Sequence, residues 1–165
     1  MTKTLGQTAD VVTPHELRTE KLRIIARRGA ETIEAGSSLR AAIRQMQGAR
    51  GESLIVCRDD RPVGILTERD VLRKVLGRDV DMDTAVDSVM TAQPRTVSAE
   101  ARVGEALEIM ERGGFRNLPL VDDDGRVVGI LRQQDVLEYV AEAFPQEILN
   151  LPPRPHQQLD EPEGA

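Results

Sequence analysis

The sequence predicts an α/β chain of the α+β kind, built from two tandem copies of one β-α-β-β-α unit. The chain repeats itself, its apolar period switches between helix and strand at matching places in both copies, and turn residues separate the strands. With an offset of 64, Ile33 falls on Val97, Ala42 on Ala106, Ile43 on Leu107 and Met46 on Met110; upstream, Leu22 falls on Val86 and Ile25 on Val89. The offset then becomes 65, so that Gly64-Ile65-Leu66 falls on Gly129-Ile130-Leu131 and Asp70-Val71-Leu72 on Asp135-Val136-Leu137. One residue has entered between these blocks, in a turn, where chains tolerate length changes.

Residues 1–13 read as a loose arm. A proline start at Pro14, followed by Leu17, Leu22, Ile24 and Ile25, predicts a leading helix. The first copy then predicts a helix over 39–47, a strand over 54–57, a turn over 58–61, a strand over 63–67 and a helix over 68–76. The charged stretch 77–84 connects the copies. In the second copy Thr96-Val97 is a short extended entry. The stretch 101–112 places Val103, Ala106, Leu107 and Met110 at helical spacing and is ended by Gly113-Gly114. Apolar runs at 118–121 and 127–131 flank Asp122-Asp123-Asp124-Gly125 and predict an antiparallel hairpin. A last helix carries Val136, Leu137 and Val140. The division is therefore 1–19 arm and start of the leading helix, 20–80 first repeat, 81–143 second repeat, and 144–165 a Pro-rich tail, partly disordered. A unit of about 55 residues buries too little surface to be secure alone, so the copies are expected to pack face to face around a shared core.

Composition narrows the function. Acidic residues outnumber basic ones 28 to 22, which argues against a general nucleic-acid binder, since neutralising phosphates needs a clustered excess of Lys and Arg. With no Trp, one Tyr and two Phe, base stacking on aromatics is equally unsupported. The single Cys57 rules out an intramolecular disulfide and a multi-cysteine metal site. No apolar run approaches the roughly eighteen residues of a membrane span, and residues 1–10 lack the pattern of a signal peptide. A cytoplasmic protein with no membrane contact is the expectation.

The pattern richest in chemistry is Gly64-Ile65-Leu66-Thr67-Glu68-Arg69-Asp70, echoed by Gly129-Ile130-Leu131-Arg132-Gln133-Gln134-Asp135. Both lie where a strand ends and a helix begins. The unpaired N–H groups of such a corner hold anions or electron-rich hydroxyls, and a carboxylate one turn in accepts hydrogen bonds from a vicinal diol such as that of ribose. The glycines permit close approach of a backbone or a flat ring. A plainer reading stands beside this one: Thr67 and Asp70 are spaced as a capping box and nothing more. In the second copy Arg132 cannot cap through its side chain, yet Asp135 and Gly129 keep their places.

Taken in order, and twice over, these elements resemble the cystathionine-β-synthase-type (CBS) domain family, whose tandem pairs form Bateman modules. The resemblance covers about 22–143. It rests on Val86-Asp87-Ser88-Val89-Met90-Thr91 with Pro94 and Thr96-Val97, on Ala106 with Met110, on Arg116-Asn117-Leu118-Pro119-Leu120-Val121-Asp122, and on the Gly-x-x-Thr-x-x-Asp element ending at Asp70. It implies two repeats related by a pseudo-two-fold axis, with clefts between them for adenosine compounds: AMP, ADP, ATP, S-adenosylmethionine or NAD(H). It gives Asp70 the ribose hydroxyls, with Thr67 assisting. Asp135 is the counterpart in a second cleft, where Arg132 replaces the hydroxyl residue and is placed to fill the cleft or to meet a phosphate. Arg116 matches a phosphate-facing base, against the plainer reading of an exposed arginine near a helix end. The first copy has only Gly51-Glu52-Ser53 there, so one dominant ligand per chain is expected. The resemblance further implies a homodimer, no covalent cofactor, and a regulatory rather than enzymatic role exerted on a separate partner protein.

A ligand-free dimerisation or adaptor module is the alternative. No nucleophile and base pair, phosphate loop or metal set can be assembled, so an enzyme is not expected. Cys57 reads as a buried structural thiol, and His15 and His156 lack ligand-like spacing. Asp122 to Gly125 lacks the alternating ligands of a calcium loop, and Arg27-Arg28 reads as a solvated helix end.

Overall fold

The protein is described by a computed structural model covering residues 14–49 and 52–143. Residues 1–13 and 144–165, and with them the arm, His156 and the tail, lie outside the described residues. Two short helices open the fold, α1 (Pro14–Thr19) and α2 (Leu22–Ile25). The first repeat runs β1 (Thr32–Glu34), α3 (Leu39–Ala49), β2 (Ser53–Arg58), β3 (Arg61–Thr67) and α4 (Glu68–Lys74). A 3-10 turn at Val86–Ser88 and the strand β4 (Thr91–Ala92) lead to the second repeat, β5 (Val97–Ser98), α5 (Val103–Gly113), β6 (Asn117–Val121), β7 (Val127–Arg132) and α6 (Gln133–Ala143). The fold is α+β with two β-α-β-β-α copies. In each, a parallel pair (β1·β2, β5·β6) is extended by an antiparallel hairpin (β2·β3, β6·β7), and β4 adds to the free side of β3. Even the irregularities repeat: the register shifts at Val56/Cys57 and at its counterpart Leu120/Val121.

Local chemistry accounts for the elements. On α3 the buried Leu39, Ala42 and Met46 form one stripe, and on α5 Val103, Ala106 and Met110 form its counterpart. Gly114 ends α5 at φ +64, a left-handed conformation that glycine adopts without a Cβ clash, and its N–H reaches Met110 O. In the first hairpin Asp59 and Asp60 both take positive φ, which suits a two-residue turn between right-twisted strands. In the second, Asp122 Oδ1 accepts from the N–H groups of Asp124 at 3.0 Å and Arg126 at 2.8 Å, so this acidic run is a self-bonded turn, as expected.

The interior differs from the single shared core expected. There are two cores, and each is closed by the other copy's leader. Leu17, Leu22 and Ile25 of the N-terminal leader pack with Val97, Val103, Ala106, Met110, Leu118 and Leu131 of the second repeat. Val86 and Val89, the counterparts of Leu22 and Ile25, pack with Leu39, Ala42, Met46, Leu54 and Leu66 of the first. Backbone hydrogen bonds fix both exchanges in the same register. Leu22 N bonds Ala101 O at 3.1 Å and Val103 N bonds Glu20 O at 2.9 Å; in the mirror arrangement Val86 N bonds Ser37 O and Leu39 N bonds Thr84 O, each at 2.8 Å. This geometry breaks the expected single leading helix into α1 and α2, because Lys21 turns extended to bridge Arg102. It also moves the start of α5 from residue 101 to Val103, since Ala101 is engaged with the leader.

Between the repeats a small third cluster joins Ile55 and Cys57 of β2 to Ile130 of β7, and Val127 N bonds Asp60 O at 2.9 Å. Cys57 is buried there as expected. Burial first, then the nearby charges of Glu34 and Asp60, push its thiol pKa up, which keeps the unreactive thiol form. On α6, by contrast, Leu137 is 63% exposed, and its counterpart Leu72 on α4 is 61% exposed. Val136 rather than Leu137 faces the core.

Because Leu22 is fully buried in the core of the opposite repeat, Leu22→Ala is expected to cost about 2–5 kcal/mol through lost burial and the cavity left behind. Chemical denaturation followed by circular dichroism is expected to show one transition moved to lower denaturant. Two separated transitions would mean that the repeats do not depend on each other's leaders.

Candidate functional site

The corner between β3 and α4 is built by a reciprocal cap. Thr67 sits in extended backbone at the end of β3, and its Oγ accepts from Asp70 N at 3.2 Å while donating to Asp70 Oδ2 at 2.7 Å. Thr67 N donates to the same Oδ2 at 3.0 Å. The other carboxylate oxygen, Oδ1, meets Lys74 Nζ at 2.8 Å and Thr91 Oγ at 3.4 Å. Lys74, one turn along α4, also donates to Val89 O at 2.7 Å, so its ammonium ties the corner to the segment ahead of β4. Two of the first-turn donors of α4 are thereby occupied: Glu68 N bonds Glu52 O at 3.1 Å and Asp70 N bonds Thr67. The capping box is present in full.

Asp70 is 9% exposed. Burial pushes its carboxyl pKa upward, but the hydrogen bonds from Lys74 and Thr67, with the Lys74 charge, outweigh that and hold it below its ordinary 3.8. It is a carboxylate at neutral pH.

In front of this corner lies a cleft of about 660 Å³, within the size range of small-molecule sites. Its walls come from three parts of the chain. Thr67, Asp70 and Leu72 belong to the first repeat, Thr91 to Arg95 to the segment leading into the second, and Phe115, Arg116 and Asn117 to the start of β6. The structure thus brings Thr67, Asp70 and Arg116 together. Asn117 adds a buried side-chain oxygen with no hydrogen-bond partner among the described residues.

Gly64 and Gly129 are not in the cleft wall. A Cβ on Gly64 would collide with the Met90 thioether, so this glycine makes room for a core side chain rather than for a ring of a ligand. Gly129 is buried opposite Leu120, where a Cβ would be 3.5 Å from Leu120 Cδ1, an ordinary contact.

The second corner keeps half of the cap. Arg132 N donates to Asp135 Oδ2 at 2.9 Å, and the Arg132 side chain folds back so that Nη1 is 4.0 Å from the same oxygen. Asp135 is 5% exposed and its Oδ1 lies 3.9 Å from Arg28 Nε. Arg28 is held in turn by Glu138 at 3.1 Å, and Arg27 by Glu142 at 3.2 Å. The hollow there is about 210 Å³. Arg27 and Arg28 are exposed, as expected of a solvated end following α2, and Arg28 also approaches the second carboxylate at 3.9 Å. The two corners share a backbone plan and differ in what stands over the acid.

Lys74, Thr91, Arg95 and Phe115 join the site although no functional role was expected of them. Lys74 was visible in principle, four residues after Asp70 on one helix face. Thr91 and Arg95 reach the cleft only through the pairing of β4 with β3. Among the described residues no group of three His, Cys, Asp or Glu side chains is placed to hold a metal ion, and no helix is long and apolar enough to cross a membrane.

Comparison with known proteins places this geometry in context. The sequence model for "CBS domain" matches twice, at residues 23–77 and 86–142. The uncharacterized protein MK0525 of Methanopyrus kandleri is 33% identical over 124 residues, 74% of this chain and 63% of the relative, so the chain spans somewhat under two thirds of that protein's length. Among solved structures, the CBS domain NE2398 superposes with a TM-score of 0.66 at 27% identity, covering 73% of this chain and 97% of that one. The CBS domain protein PAE2072 of Pyrobaculum aerophilum, complexed with AMP, shares the fold with a TM-score of 0.66 at 24% identity, over 74% of this chain and 99% of that one.

The depressed carboxyl of Asp70 carries a signed pH dependence. Its contribution to stability is present above the unfolded-state value of 3.8 and is lost as pH falls through the lower folded-state value. The stability gap between wild type and Asp70→Asn is therefore expected to be constant above about pH 5 and to close in more acidic solution, measured by urea unfolding across pH.

Proposed function

The chain belongs to the CBS-domain family, as a tandem pair, and from that membership we propose that it is a regulatory module whose cleft at Asp70 binds an adenosine-containing ligand and signals to a separate partner protein. The observation that carries this is the buried, ionised Asp70 standing at the back of a cleft of about 660 Å³ whose walls come from both repeats. A carboxylate has about four lone-pair sites and accepts from both hydroxyls of a ribose. The contact of Asp70 with Thr91 is long at 3.4 Å and is the one a sugar hydroxyl replaces at least cost, while Thr67 and Lys74 keep the carboxylate oriented. The AMP complex of PAE2072 supplies the first ligand to test.

A ligand touching both repeats and the segment between them favours whichever relative arrangement it binds better, and the shift is limited by that difference in affinity. One ligand per chain is part of the proposal, because Arg28 and Arg132 stand over Asp135 in the second corner. So is a homodimer. Leu72 and Leu137 occupy equivalent positions on α4 and α6 and are both more than half exposed, a pair of apolar contacts suited to a second copy. A cytoplasmic setting and a non-enzymatic role complete the reading. The same exposed leucines, with one cleft covered, favour the second reading of a ligand-free dimerisation or adaptor module.

Thermal unfolding with and without AMP separates the two. Ligand at a hundred times its dissociation constant adds about 2.7 kcal/mol, which raises the midpoint by about 5 to 11 °C for a chain of this size. Asp70→Ala is expected to unfold at a lower temperature, from loss of the cap, and to show no shift with AMP. A shift that survives in Asp70→Ala would place the ligand elsewhere, and no shift for any adenosine compound would favour the adaptor. Titration calorimetry is expected to give one AMP per chain in the wild type. Light scattering is expected to show a dimer that Leu137→Glu converts to monomer.

A further inference from the structure

In both repeats the two helices share one face of the sheet. Leu54 and Val56 of β2 and Leu66 of β3 pack with the α3 stripe and with Val71 and Val75 at α4, while Ile55 between them points to the seam with Ile130. Leu118, Leu120 and Leu131 pack in the same way with the α5 stripe and Val136 of α6. Each repeat thus presents a helix layer on the sheet face opposite the seam. These equivalent layers carry opposite charge. In the first repeat α3 holds Arg40 and Arg44 and no acid, and α4 holds Arg69, Arg73 and Lys74 against Glu68 and Asp70, a net of +3. In the second, α5 holds Glu105, Glu108 and Glu111 against Arg112, and α6 holds Asp135, Glu138 and Glu142 with no base, a net of −5. The sign inverts at matched positions, Arg44 corresponding to Glu108 and Arg73 to Glu138. Arg44 and Arg73 are exposed. Glu108 meets Arg18 of the adjoining α1 at 3.3 Å and Glu138 meets Arg28 at 3.1 Å, yet their side chains stay 52% and 42% exposed. Beside these charges stand Leu72 and Leu137, also at matched positions and 61% and 63% exposed.

Resting on the homodimer of the proposed function, we propose that the two copies meet head to tail, with the basic helix layer of the first repeat in each copy seated on the acidic layer of the second repeat in the other. A chain that carries both a basic and an acidic version of one surface is complementary to itself. A two-fold axis makes both contacts at once, so every charge pairing occurs twice and the assembly closes as a dimer. Leu72 of each copy then lies on the layer that carries the partner's Leu137, which supplies the apolar part of the contact. The head-to-head alternative sets the basic layer against its own copy and the acidic layer against its own, and opposing like charges works against association. The orientation is therefore decided by how the two repeats have diverged in charge, since their backbones and their exposed leucines are equivalent.

The test joins sedimentation equilibrium of the full chain with cross-linking by a short bismaleimide. Leu72→Cys and Leu137→Cys are each expected to stay unlinked alone and to give a covalent dimer when mixed, and the wild type, whose Cys57 is buried, is expected to give none. Arg73→Glu, which makes the basic layer less basic, is expected to raise the dimer dissociation constant at low salt by at least about tenfold, because one reversal acts at both contacts. Arg112→Glu, which makes the acidic layer more acidic, is expected to lower it. Both effects are expected to shrink as salt rises. A head-to-head dimer gives the opposite sign for each variant and links Leu72→Cys to itself; either result, no link in any sample, or dissociation constants that neither variant moves would overturn the orientation while leaving the homodimer standing. A wild-type chain that stays monomeric would overturn the homodimer and the orientation with it.

Discussion

Neither repeat closes its own interior. The stripe on α5 has no lid until Leu22 and Ile25 arrive from the start of the chain, and the stripe on α3 has none until Val86 and Val89 arrive from the segment after α4. Everything else in the molecule follows from this exchange. It sets the two copies about an approximate two-fold axis, brings Ile55 and Ile130 together between them, and lays Thr91 to Arg95 across the end of β3. The cleft is a product of that crossing. A single repeat supplies the acidic corner, and the wall opposite exists only because the second repeat is locked in place.

Asp70 has a structural role and a proposed ligand-binding one, and the two are compatible because a carboxylate has more acceptor sites than a cap consumes. The cap takes Oδ2, and Lys74 holds Oδ1 from one side. The reciprocal Thr67–Asp70 box therefore does not compete with the proposed ligand contact; it fixes the rotamer of the carboxylate that the proposal uses. The second corner shows what happens when the hydroxyl is replaced. Arg132 keeps the backbone hydrogen bond and loses the side-chain one, and guanidiniums cover the acid instead.

Much of this was legible in the sequence. The repeat offset located both hairpins, the paired helices α3 and α5, and the correspondence of Asp70 with Asp135, because period and turn chemistry are local properties that survive into the fold. The equivalence of Leu22 with Val86 was visible too, but which core each one enters was not, since an exchange and a self-contained packing give the same periodicity. Gly64 illustrates a related limit. A glycine announces a close approach, and only the tertiary contact shows that the visitor is Met90. Leu137 stands beside Val136 on the last helix, and its exposure reflects how α6 is rotated on the sheet, which the apolar residues of that helix alone do not determine. Arg28 reaches Asp135 across more than a hundred residues of chain, a meeting that no spacing rule anticipates.

The cover over the second corner has a bearing on how a module of this design reads concentration. On the proposal of one ligand per chain, with Arg28 held between Asp135 and Glu138, the site fills along a simple saturation curve. Any threshold-like dose response would then have to originate in communication between neighbouring molecules, so the steepness of the signal becomes a property of the assembly rather than of the individual polypeptide.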